Sequence, residues 1–141
     1  MREYKFRAWD KEYEKMTYFD DEDYDYRPPL VFRLDQVFKK DSNYDDYEDF
    51  EYNDITDSVE IMQYTGLHDK DGKEIYEGDI LQIDIEKAWV MWNKRYGYFE
   101  LVPIGDYYFD SPVIGEAIEY TDSELIGNIY ENKELLNETN R

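Results

Sequence analysis

The chain has 141 residues, with 36 acidic against 16 basic side chains, a formal net charge of −20 and no cysteine. A chain of this length forms one domain with its own core, and without Cys a disulfide framework, thiolate metal ligation and a cysteine nucleophile are excluded. Such a charge repels phosphate backbones, so direct nucleic-acid binding is not expected. No window reaches the roughly 18 apolar residues of a spanning helix, so no membrane association is expected either.

The aromatic content, 16 Tyr, 7 Phe and 3 Trp, sets this chain apart from disordered acidic segments, which are poor in such residues, so most of it should fold. The first ten residues carry charges but no apolar run, so no signal peptide is expected, and a reducing cytoplasm is the expected compartment.

Residues 1–19 read as a strand pair. Alternation puts Tyr4, Phe6 and Ala8 on one face, and Met16 to Phe19 can return as the partner after a polar connector. Residues 20–58 change character and read as an acidic, Tyr-rich insertion. Asp41 to Asp57 holds eight carboxylates and no Lys or Arg. Between its acidic clusters, Leu30, Leu34, Val37 and Phe38 follow helical spacing and favour a helix, although Leu30, Phe32 and Leu34 also alternate as in a strand.

Residues 59–131 read as the β core. Ile61 to Tyr64 is a short strand, and Asp71-Gly72 centres a tight turn because this pair takes positive φ readily. In Ile80 to Ile85 alternation sets Leu81, Ile83 and Ile85 opposite Gln82 and Asp84. Ala88 to Trp92 and Tyr98 to Val102 are strands about a turn at Asn93 to Gly97. Ala117 to Tyr120 is a short strand, and Glu124 to Tyr130 a last one with a bulge or close approach at Gly127. Glu131 to Asn137 forms one helical turn, and residues 132–141 are a polar tail. This spacing predicts a mainly β fold with minor α: a small SH3-like barrel or a strongly curled antiparallel sheet, in a single domain over 1–141.

Phe6-Arg7-Ala8-Trp9 with Met16, the block Met62 to Ile80, and Ile126-Gly127-Asn128-Ile129-Tyr130-Glu131-Asn132 with Leu135 and Leu136 together resemble the signature of the YopX-like family of phage and prophage proteins. The blocks span nearly the whole chain in order. The departure lies in 20–58, which is longer and more acidic than the blocks imply. The resemblance implies a phage context, a compact β-rich core and oligomerisation. It implies no activity, because the family is of unknown function.

Each chemical candidate has a plainer reading. Asp21, Asp23 and Asp25 suggest a calcium loop, but the sixth and twelfth positions are Tyr26 and Phe32, where an EF-hand needs Gly and Glu. His68, the single histidine, could pair with Asp69 or Asp71 as base and orienter, yet no nucleophile stands in a matching context, and it reads as a turn-flanking, solvent-facing residue. Thr65-Gly66 and Gly78-Asp79 lack phosphate-loop spacing and read as turns. The pairs Glu74 with Glu77 and Asp84 with Glu86 are chance neighbours among so many carboxylates. Trp9, Trp89 and Trp92 could line a groove but read as core and oligomer packing. No catalytic, cofactor-binding or metal residue is assigned, and no cofactor is expected.

The sequence thus points to a non-enzymatic phage accessory protein of the bacterial cytoplasm. It would be homo-oligomeric, with a host or phage protein as a further partner. The alternative is an acidic mimic of nucleic acid that occupies a host DNA-binding protein; a phage enzyme is the third reading.

Overall fold

The computed structural model describes residues 3–19, 30–33, 36–40 and 52–137. Among these are eleven strands, one α-helix and two short 3-10 segments, so the chain is mainly β with minor α. The polypeptide divides into two compact units, one of residues 5–61 and the other of 1–4 with 62–141. The division falls within one strand, β6 (Val59–His68), rather than where the composition changes.

In the 5–61 unit, β1 (Phe6–Asp10) and β2 (Lys15–Tyr18) form an antiparallel hairpin in register from Arg7↔Tyr18 to Asp10↔Lys15. The Asp10 carboxylate holds the turn by accepting from the N–H groups of Glu12 and Tyr13, both at 3.0 Å. The expected Tyr4, Phe6 and Ala8 face is not what is buried. Tyr4 is 66% exposed, while the consecutive Arg7, Ala8 and Trp9 are all buried, as in a strand covered on both faces.

The helix favoured over 30–38 is replaced by a hairpin of β3 (Leu30–Arg33) and β4 (Gln36–Lys40), with β5 (Tyr52–Asp54) against β4. Val31-Phe32 and Val37-Phe38 are β-branched and aromatic pairs that lose rotamer freedom in a helix and suit a pleated surface. Val37 is buried and anchors a small core with Ala8 and Val59, against which Phe19, Ile55 and Ile61 pack.

In the other unit, β6 continues to His68 and pairs with β7 (Glu74–Tyr76). A second sheet, strongly curled and antiparallel like half a barrel, has the order β10-β9-β8-β11. Its strands are β8 (Asp79–Ile83), β9 (Glu86–Asn93), β10 (Tyr98–Ile104) and β11 (Ser123–Asn128). Its inner face carries Leu81, Ile83, Ala88, Val90, Phe99 and Leu101, which form one core with Ile75 and Ile114. Burying each larger side chain contributes about 1.5–3 kcal/mol.

Two sequence expectations fail here for local reasons. Ile85 does not continue the face of Leu81 and Ile83, because Asp84 takes φ 54° and starts the turn to β9, leaving Ile85 83% exposed. Ala117 to Tyr120 is not a strand but the end of α1 (Ile114–Tyr120). Ile114, Ala117 and Ile118 stand at i, i+3 and i+4 and face the core, a period too long to read from four residues. The bulge at Gly127 and the helical turn near Leu135, a 3-10 segment over Lys133–Asn137, match the sequence reading.

Both edges of this sheet are covered in part. On β11, Ser123 O accepts from Lys70 N–H and Leu125 N–H donates to the Asp69 carboxylate, both at 2.9 Å. On β10, Leu101 N–H donates to Pro112 O at 2.7 Å, and Glu100 bridges Val113. Alternation then turns the N of Pro103 to the same outer side as that of Leu101, so its missing N–H removes no bond within the sheet. Covered edges discourage the addition of a foreign strand.

Candidate functional site

The longest motif block, 62–80, supplies most of the polar residues a catalytic reading would recruit, and they are engaged in holding turns. Asp69 is 5% exposed. Its Oδ1 accepts from the N–H groups of Asp71 and Lys73, and its Oδ2 accepts from Leu125 N–H, each at 2.9 Å. Burial raises the Asp69 carboxyl, but these three donors together with the Lys73 charge outweigh it and hold the group below the ordinary carboxylate range. Within the turn Gly72 takes φ 82°, whereas Asp71 does not take a positive φ.

Of the two glycine-containing segments considered as phosphate loops, Gly78-Asp79 forms a turn, whereas Thr65-Gly66 lies within β6 at its register shift, and both have their polar groups engaged. Thr65 Oγ1 donates to Ile75 O at 2.7 Å and accepts from Leu67 N–H at 3.2 Å. Gly78 N–H donates to Val90 O at 2.8 Å, its carbonyl accepts from Ile129 N–H at 2.9 Å, and the buried Asp79 carboxylate accepts from Tyr76 N–H at 2.7 Å. In the last block, Asn128 Oδ1 accepts from the N–H groups of Tyr130 and Glu131, while Asn132 Oδ1 accepts from Asn128 N–H at 3.1 Å. Gly127 allows a close approach there, because a Cβ would meet the Asn132 amide and force it to shift.

His68 stands exposed at the end of β6, in register with Glu74. Its Nε2 lies 3.2 Å from the hydroxyl of Tyr64, whose ring also meets Tyr76 at 5.5 Å. The Tyr76 hydroxyl donates to Glu74 at 3.3 Å. The carboxylate nearest in sequence, Asp69, points into its own turn and toward β11, so it does not orient the imidazole. Glu74 is engaged by Tyr76, and the Asp84 to Glu86 turn is closed by Gln82 Nε2, which donates to both backbone carbonyls at 2.9 and 3.0 Å.

Asp21, Asp23 and Asp25 lie outside the described residues. Among those described, no group of three or more His, Asp or Glu side chains is placed to hold a metal ion. An open cleft of about 610 Å³ in the 5–61 unit is lined by Gln36, Asp54, Ile55, Thr56, Asp57 and Ser58. Its Asp54 carboxylate already accepts from Thr56 O–H and N–H and from Gln36 Nε2, and the Thr56 hydrogen bonds hold it below its ordinary pKa.

Trp89 and Trp92 do not line one groove. Trp9 is buried in the 5–61 unit, and Trp89 and Trp92, three residues apart on β9, face opposite sides of the sheet. Trp92 is 37% exposed and meets Phe99 edge-on at 4.8 Å. The two residues are a directly opposed cross-strand pair. Beyond them the turn is held by Asn93 Oδ1, which accepts from Arg95 and Tyr96 N–H, and by Gly97 at φ 72°. This presents Tyr96, 65% exposed, stacked on Tyr98 at 6.3 Å, with the Arg95 guanidinium 5.4 Å from its ring. An aromatic and basic hairpin tip is what interfaces favour, since Tyr, Trp and Arg give area, rigidity and polar ends. Sequence reasoning placed the hairpin but not its tip as a surface. The signal was the run Trp92-Asn93-Lys94-Arg95-Tyr96, aromatic and basic where most of the chain is acidic.

The family model described as YopX protein matches residues 5–137. No curated protein matches the chain. Among solved structures, protein EF1440 from Enterococcus faecalis is similar at 27% identity and a TM-score of 0.62, over 96% of this chain and 99% of that one.

Proposed function

The chain belongs to the YopX protein family, and on that premise we propose that it is a phage or prophage accessory protein acting as a non-enzymatic module that associates with copies of itself. The phage context rests on the family resemblance of the motif blocks. The observation that carries the interaction reading is the β9–β10 tip, where Trp92 and Tyr96 face solvent on a sheet whose edge strands are covered in part. Contact is then made by side chains rather than by strand addition. The engagement of Asp69, Asp79, Asn128 and Asn132 in turns supports the non-enzymatic part. Native mass spectrometry at micromolar concentration tests the reading: an associated species is expected, and a strict monomer defeats it.

A second reading, an acidic mimic of nucleic acid, draws on residues 96–132, which carry eight acidic side chains and no Lys or Arg. Capture of a basic DNA-binding protein from host lysate at low salt, competed by duplex DNA, would favour it; no such capture would remove it.

A further inference from the structure

Two stretches of sequence within the 62–141 unit differ in the sign of their charge. The stretch Lys87 to Arg95 has three basic and no acidic residues, whereas 96–132 has eight acidic and no basic ones. At the tip, Lys94 and Arg95 are exposed, and among the described residues neither is ion-paired. On and just past α1, Glu119 and Asp122 are exposed and likewise without an ion pair among the described residues. Val113, which precedes α1, bridges Glu100, two residues from the tip end of β10.

We infer that the hairpin tip docks on a second copy of this chain, with Trp92 and Tyr96 as anchors and Lys94 and Arg95 against the Glu119 and Asp122 surface of that copy. The inference rests on the self-association proposed above and names its surface. The partner is a second copy because this chain itself carries the complementary charge, and a contact between two tips would oppose cation to cation. Two copies related by a two-fold axis make the contact twice, tip to helix and helix to tip, which closes the assembly. The mutual repulsion of two chains at −20 acts at long range and is screened beyond about 8 Å at 0.15 M salt, whereas charges in direct contact are screened less. The aromatic anchors supply affinity and the charges select the register.

The test is charge reversal and exchange on the full chain in 0.15 M salt, read by sedimentation velocity and native mass spectrometry. A tip variant (Lys94→Glu with Arg95→Glu) and a helix variant (Glu119→Arg with Asp122→Arg) each change only exposed residues, and unchanged circular dichroism verifies folding. Each alone is expected to weaken association by about tenfold or more. An equimolar mixture is expected to recover it as a mixed species, because an acidic tip then meets a basic helix and a basic tip an acidic helix. Association of the wild type that neither variant changes, or a mixture that fails to recover, overturns this inference while the self-association reading stands. A wild type that stays monomeric overturns both.

Discussion

Two turns of the same chemistry serve opposite ends. At 69–73 and at 93–97 an Asp or Asn side chain accepts from N–H groups further along the turn, and a glycine at positive φ completes it. The first turns its remaining carboxylate oxygen inward to Leu125 and covers part of the edge of β11. The second keeps its holder, Asn93, busy within the hairpin, where Asn93 Nδ2 also donates to Glu100 at 3.1 Å, and sends Lys94, Arg95 and Tyr96 outward. A turn built by the same local rule is therefore a brace in one place and a contact surface in the other; the difference lies in what the adjacent side chains meet.

Substitution separates the two roles. Asp69→Ala leaves three backbone N–H groups without their acceptor, each costing about 1–3 kcal/mol where water cannot reach, and a loss of about 3 kcal/mol is expected in urea unfolding. Gly127→Ala forces the Asn132 amide away from Asn128, and a loss of about 2 kcal/mol is expected from the same measurement. The third test is pH. The Asp69 carboxyl is held below 3.8 in the folded state, so its stabilisation is complete above that value and is lost as pH falls through the lower folded-state pKa. The stability gap between wild type and Asp69→Asn should therefore narrow below about pH 4. The smallest effect belongs to the other turn: Arg95→Glu should change stability by less than about 0.5 kcal/mol, since the side chain is exposed and supports no buried group.

The strands of the second sheet were legible because their alternation and turn residues agree, as in Leu81 and Ile83 before Asp84, and Asn93 to Gly97 between β9 and β10. Over 30–38 two periods overlapped in one short apolar segment, and the β-forming Val-Phe pairs prevailed once β5 could pair with β4. Ala117 to Tyr120 misled because its helical partner Ile114 lay outside the window considered. The second role of Asp69 was not legible: its bonds to Asp71 and Lys73 are local, but its partner Leu125 is set by the fold, 56 residues away. The hairpin tip could have been found from the basic and aromatic run alone, by asking where an acidic chain departs from its own charge.

Amide hydrogen exchange at two protein concentrations tests most directly the claim that one turn braces the fold while the other meets a partner. The amides of Lys73 and Leu125 should exchange slowly and independently of concentration, and those from Lys94 to Gly97 quickly in dilute solution and markedly more slowly when concentrated. Fast exchange at Leu125, or tip exchange indifferent to concentration, would contradict the account.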